Sequence, residues 1–238
     1  VAGTLSSSQV TELFGLMFDA QSQPTLAYTD PVNYVAALER ARSLLNTLRA
    51  NGAAGLAALQ NLTGTTIPAS GTLTASQVNE LFGLMFDAQS NPTLAYTDSL
   101  RYVVGLEHAS NLLNALRANG AAGLTALANI TGTTIPPTGN LTAPQVTELF
   151  GLMFDAQSQP TLAYTDPVAY VAALERASNL LNALRANGAS GLTALANITG
   201  TTIPPTGNLT APQVTELFGL MFDAQSQPTL AYTDPVAY

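Results

Sequence analysis

The sequence repeats itself with a period of 68 residues, and this feature limits the possible folds more than any other. The chain of 238 residues holds three and a half copies, residues 1–68, 69–136, 137–204 and 205–238. A fixed period of this length is typical of stacked repeat architectures. Because the last copy is incomplete, we expect the chain to be part of a longer repetitive protein. One phrase, ELFGLMFDAQS, marks the period by beginning at Glu12, Glu80, Glu148 and Glu216.

Local signals within the third copy predict two main helices. Thr142, with a glutamine three residues later, fits a capping box at the start of the first helix, and Pro160 is expected to end it. Asp166 and Pro167 fit the cap and first turn of the second helix, which we expect to end at Asn187–Gly188. The segment GLTALANI predicts a short third helix, and TGTTIPPTGN predicts a connector rich in proline, glycine and threonine.

The two main helices differ in how widely their apolar residues are spread. In the second helix the apolar positions lie on one arc of about 120°, and polar residues such as Ser178 lie opposite. In the first helix they cover about 200°, which is too wide for one partner to bury. We therefore expect the first helix to contact both the second helix of its own copy and an adjacent copy or another chain. The pattern predicts an all-α fold of tandem helical repeats stacked as a solenoid-like array.

The composition disfavours nucleic acid and membrane partners. Charged residues make up 9% of the chain, against about 25% in a typical soluble domain, and the chain has a net charge of −8. None of its basic residues is lysine, and no basic stripe for phosphate binding is present. No apolar run approaches the roughly 20 residues needed to span a bilayer. We therefore expect no nucleic-acid partner and no membrane insertion.

Candidates for catalysis or metal binding each have a simpler structural interpretation. The single histidine, His108, stands where the other copies have Arg40 and Arg176, so we expect a solvent-exposed substitution rather than a catalytic base. Glu148 and Asp155 could flank a cation, but the sequence lacks the spacing of a calcium loop. Roles at helix ends account for them better. We predict no enzyme activity, no catalytic residue, no metal site and no cofactor.

Two recurring features bear on binding and modification. The stripe formed by Phe14, Met17 and Phe18 and its copies could line a site for an apolar ligand, although core packing is favoured. The chain also contains five N-x-[ST] sequons, which are candidate glycosylation sites if the protein is secreted from a eukaryotic cell. These sequons are at Asn61, Asn129, Asn140, Asn197 and Asn208.

The incomplete last copy predicts where chains associate. It lacks the second helix that should cover its first helix, so we expect its apolar residues to be exposed and to form an assembly interface with the stripe of the first copy. Reuse of a heterologous contact between chains gives an open, head-to-tail filament. The residues of this predicted interface are Leu217, Phe218, Leu220, Met221, Phe222, Phe14, Met17 and Phe18.

Near-identical copies, low charge and the absence of lysine and cysteine indicate a structural protein. By fold-level analogy, we predict a self-assembling extracellular or cell-surface protein that forms a fibre, filament or sheath, with itself as partner. Two alternatives stay open. The copies could form the stalk of a cell-surface adhesin, or a helical module that binds an apolar ligand or a glycan.

Overall fold

The chain is all-helical in the residues that the computed structural model describes, 4–19, 21–86, 91–154, 159–223 and 227–238. These residues contain no strand, only isolated bridges. The predicted all-α class is confirmed. The helices are α1 Ser7–Met17, α2 Leu26–Thr29, α3 Pro31–Ala50, α4 Gly52–Thr63, α5 Ala75–Met85, α6 Leu94–Thr97, α7 Ser99–Ala118, α8 Gly120–Thr131, α9 Ala143–Met153, α10 Leu162–Thr165, α11 Pro167–Ala186, α12 Gly188–Thr199, α13 Ala211–Met221 and α14 Leu230–Thr233.

The long helix α11 begins and ends where local signals predict. The carboxylate of Asp166 accepts a hydrogen bond from the amide of Ala169, and Pro167 occupies the first turn. Asn187 forms the C-cap. Gly188 then takes a φ of +68°, which favours glycine and lets α12 begin immediately. Helix α12 has 12 residues and is therefore longer than the segment that predicted it.

The predicted end of the first helix at Pro160 is wrong, because α9 ends at Met153. The hydroxyl of Thr161 donates to the carbonyl of Leu152 at 2.6 Å, and its amide donates to the carbonyl of Met153 at 2.9 Å. These bonds satisfy carbonyls of the last turn that would otherwise lack partners. Phe154 then forms an antiparallel bridge with Pro160, before the one-turn helix α10.

An arginine in the last turn of each long helix holds the connector that follows. Arg185 Nε donates to the carbonyl of Pro204 at 3.2 Å, and its Nη2 donates to the carbonyl of Gly207. Arg49 and Arg117 make the same pair of contacts in their own copies. Arg185 therefore links the last turn of α11 directly to the connector.

The chain divides into two compact units, Val1–Glu107 with Thr142–Pro144, and His108–Leu141 with Gln145–Tyr238. In the first unit α5 packs against α1 and α3, and in the second α11 packs against α8. No helix in the described part of the chain is both long and apolar enough to cross a membrane. Fully buried side chains form each core, Leu44, Leu48, Leu59, Leu62, Met85 and Leu106 in the first unit and Leu112, Leu113, Leu116, Leu127, Ile130 and Leu149 in the second.

Candidate assembly interface

A stacked tyrosine and phenylalanine join consecutive copies of the sequence repeat in both units. In the first unit the rings of Tyr34 and Phe82 lie 4.4 Å apart between centroids, with 24° between their planes. In the second unit the rings of Tyr170 and Phe218 lie 4.9 Å apart, with an angle of 14°. Aromatic pairs of this kind contribute about 0.5–1.5 kcal/mol beyond the burial of their area. The long helix of one copy thus contacts the first helix of the next copy in the same way in each unit.

A cation over an aromatic ring forms a second recurring contact. The guanidinium carbon of Arg40 lies 5.7 Å from the ring centroid of Tyr96 in the first unit. That of Arg176 lies 5.5 Å from the ring centroid of Tyr232 in the second. Both distances are within the range of a cation–π interaction, which contributes about 0.5–1 kcal/mol at exposed sites. Each pair joins one copy to the next.

His108 makes the equivalent contact in the second unit, so the prediction that it is merely solvent-exposed is wrong. Its ring stacks on that of Tyr164 with 3.8 Å between centroids and 14° between planes. Its Nδ1 also lies 3.0 Å from the carbonyl oxygen of Tyr164, and the side chain is half-buried. Histidine preserves the contact because its ring is planar, as the guanidinium of arginine is.

Asparagine and glutamate side chains form a third recurring link between copies. Asn51 Nδ2 donates to Glu107 Oε1 at 3.4 Å in the first unit. Asn119 Nδ2 donates to Glu175 Oε1 at the same distance in the second unit. In each case the asparagine follows one long helix and the glutamate lies within the next. These hydrogen bonds add a polar contact between consecutive copies to the two aromatic ones.

Asn129 illustrates how the structure separates the candidate glycosylation sites. Its Nδ2, the atom that would carry a glycan, donates to Ser178 Oγ at 2.6 Å between α8 and α11. Ser178, predicted on the polar face of α11, is consequently buried. Asn61 is half-buried, whereas Asn129 and the other three sequon asparagines, Asn140, Asn197 and Asn208, are exposed.

The expected exposure of the last copy is wrong. Leu217, Phe218 and Met221 are buried, and Leu220 and Phe222 are half-buried. The reason is that α13 packs against α11 and α8, which belong to preceding copies. In the last copy the first helix is therefore covered by helices of preceding copies.

The first copy presents the corresponding apolar surface uncovered. Phe14 is 57% exposed, whereas the equivalent residues Phe82 and Phe218 are 6% and 8% exposed. Met17 and Phe18 are half-buried. Other large apolar residues of α1 and α3 are exposed as well, namely Val10, Leu13, Val35 and Leu38. We call Val10, Leu13, Phe14, Val35 and Leu38 the α1–α3 face.

A second apolar surface lies in the second unit along α12. Ile198 is 83% exposed, whereas the equivalent Ile130 of α8 is fully buried. Ile198 lines a groove of about 660 Å³ together with Leu184, Leu195 and Val236. Helix α8, in contrast, is covered by α11 and α13.

Chemistry beyond these contacts is sparse in the described residues. They contain no group of three or more histidine, aspartate or glutamate side chains that could hold a metal ion, and Asp155 lies outside them. Burial raises the pKa of Tyr102 and of Tyr170 well above that of an ordinary phenol.

Comparison with known proteins gives no counterpart, since no family model, no curated protein and no solved structure matches the chain.

Proposed function

We propose that this chain is a structural, self-assembling protein whose 68-residue copies stack as a solenoid-like array and build an extracellular fibre, filament or sheath. The recurrence of the same contacts between consecutive copies carries the proposal. Tyr34 stacks on Phe82 as Tyr170 stacks on Phe218, and arginine or histidine covers the next tyrosine each time. In repeat proteins, stability is approximately the sum of the repeats and of the interfaces between neighbours, so such contacts can extend an array indefinitely.

The α1–α3 face is the surface that we assign to the contact between chains. Its residues are buried at most of the equivalent positions of later copies, as Phe14 compared with Phe82 and Phe218 illustrates. Five large apolar side chains are exposed on it, and a concentration of exposed apolar residues supports an interface. A second copy of the chain is the partner with matching chemistry, and a heterologous contact of this kind produces an open filament.

One residue of α3 makes the contact between chains weaker than the contacts within a chain. Arg42 is exposed on α3, whereas the equivalent residues Ser110 and Ser178 are buried. Placing a neighbour against this position requires Arg42 to lose water or to fold aside, and desolvating a charge is unfavourable. Assembly should therefore depend on protein concentration.

Sedimentation velocity over a range of protein concentrations tests this assignment. The wild-type chain should form oligomers that grow with concentration, and Phe14→Ser combined with Leu38→Ser should remove them. Val168→Ser is the matched control, because Val168 is exposed on a long helix outside the α1–α3 face. Undiminished oligomers in the double variant, with loss of helix excluded by circular dichroism, would contradict the assignment.

The same proposal includes what the protein does not do. We infer no enzyme activity, no cofactor, no nucleic-acid partner and a location outside the cell. The support is the low charge, the net charge of −8 and the absence of lysine and cysteine. An acidic surface with few cations disfavours binding to phosphate groups.

The groove along α12 favours a second candidate function, the binding of an apolar ligand. Its volume of about 660 Å³ lies within the range of roughly 300–1,000 Å³ that is usual for small-molecule sites. Ile198, Leu195 and Leu184 supply apolar walls. Organic extraction of the natively purified protein followed by mass spectrometry distinguishes the two functions, because only the binding function requires a stoichiometric lipid or other apolar compound.

A further inference from the structure

An asparagine followed by glycine occurs three times in the chain, each time at the junction between a long helix and the helix that follows it. The residues are Asn51, Asn119 and Asn187, and all three lie within the same six-residue sequence, LRANGA. Their backbones also agree, with φ between −73° and −75° and ψ between −3° and −5°. Any chemical difference between the three sites must therefore come from the tertiary structure around them.

An asparagine side chain reacts most readily with its own backbone when glycine follows, because glycine has no side chain to shield the amide nitrogen. At Asn187 the amide nitrogen of Gly188 attacks Cγ. The new N–Cγ bond replaces the bond from Cγ to Nδ2, and Nδ2 leaves as ammonia with the proton that the Gly188 amide gives up through solvent. One water molecule then opens the resulting succinimide ring, which leaves the carboxylate of aspartate or isoaspartate and releases a proton.

Hydrogen bonds to the next copy hold two of the three side chains. Asn51 Nδ2 donates to Glu107 Oε1 at 3.4 Å. Asn119 Nδ2 donates to Glu175 Oε1 at the same distance. The side chain of Asn187 makes no hydrogen bond in the described part of the chain. Attack on Cγ requires the side chain to rotate toward the following amide, and a bond from Nδ2 to a carboxylate opposes both that rotation and the departure of Nδ2.

Helix α12, which begins at Gly188, is also less well covered than its counterparts. Ile198 is 83% exposed, whereas the equivalent Leu62 of α4 and Ile130 of α8 are fully buried. Helices with few buried apolar contacts open locally at a lower free energy. Because the reaction requires the backbone at Asn187 to leave the helical conformation, the weaker cover of α12 favours reaction at this site.

We propose that Asn187 is a site of spontaneous deamidation, and that the hydrogen bond to a glutamate of the next copy protects Asn51 and Asn119 from the same reaction. The modification places a carboxylate at the position that meets a glutamate in the other two junctions, where like charges repel. Weaker docking of a further copy at this end rests on the proposed assembly, whereas the reaction itself proceeds in a single chain.

Peptide mapping by mass spectrometry measures the reaction at all three sites in one sample. The wild-type chain is incubated at mildly alkaline pH, folded and in guanidinium chloride, at a concentration low enough that sedimentation velocity finds separate chains. Dividing each folded rate by the rate at the same site in the unfolded chain removes the effect of local sequence. Asn187 should then react about fivefold faster than Asn51 and Asn119, the factor that corresponds to a hydrogen bond of ordinary net strength. Equal corrected rates at the three sites, or a slower rate at Asn187, would overturn the proposal.

Glu175→Ala tests the protecting bond separately. Glu175 is exposed, so alanine at this helical position leaves the fold intact, and Asn51 with its own glutamate is the control within the same chain. The corrected rate at Asn119 should rise about fivefold, while the rate at Asn51 stays the same. An unchanged rate at Asn119 would mean that the glutamate gives no protection, and it would overturn that part of the proposal. Because both experiments use separate chains, their outcomes do not depend on whether the protein forms filaments.

Discussion

Replacing Phe82 with alanine should destabilise the chain far more than replacing Phe14, although the two residues occupy equivalent positions in the sequence repeat. Phe82 is 6% exposed and stacks on Tyr34. Truncating a buried phenylalanine to alanine costs about 3–5 kcal/mol. Phe14 is 57% exposed, and full burial of such a side chain contributes only about 1.5–3 kcal/mol. Phe14→Ala should therefore cost about 1 kcal/mol or less.

Urea unfolding followed by far-ultraviolet circular dichroism measures both free energies. Combining Phe82→Ala with Tyr34→Ala in a double-mutant cycle should give a coupling energy of about 0.5–1.5 kcal/mol, which isolates the stacked pair. The monomer concentration must be low enough that assembly does not stabilise the folded chain. Equal losses in Phe82→Ala and Phe14→Ala, or no coupling between positions 34 and 82, would refute the reasoning.

Three further predictions follow from the contacts. Burial keeps the hydroxyl groups of Tyr102 and Tyr170 protonated in the folded chain, so unfolding releases their protons above about pH 10. The free energy of unfolding should therefore fall there by about 1.4 kcal/mol per pH unit for each tyrosine. Alkaline unfolding curves of the tyrosine-to-phenylalanine variants check this. Asn129→Ala removes the hydrogen-bond partner of the buried Ser178 and should cost about 1–3 kcal/mol in urea unfolding, whereas Asn197→Ala, at the equivalent position of α12, should change stability by less than about 0.5 kcal/mol. His108→Arg should preserve the ring contact and change the free energy of unfolding by less than about 1 kcal/mol, while His108→Ala should lower it further.

The helix boundaries set by local chemistry could be predicted from the sequence. Asp166 and Pro167 specify the start of α11 within a few residues, and Asn187 with Gly188 specifies its end. The end of α9 could not be predicted in this way. It depends on Thr161, whose side chain caps a carbonyl nine residues earlier in the chain.

The contacts between copies were harder to predict because they depend on tertiary structure. Helical periodicity indicates that Phe218 needs a partner, but it does not say that α11 and α8 of preceding copies provide it. The same limit applies to His108, because Tyr164, on whose ring it stacks, lies far away in the sequence. Position-by-position comparison of the copies contains the missing signal, since Arg40 and Arg176 each precede a tyrosine by the same number of residues as His108.

Electron microscopy of the purified protein at increasing concentration tests the central claim most directly. The account predicts unbranched filaments whose length increases with protein concentration, because a heterologous contact between copies does not close on itself unless the rotation forms a ring. Cryogenic images of those filaments should resolve helices stacked across the α1–α3 face. Single, separate chains at every concentration that keeps the protein in solution would contradict the claim.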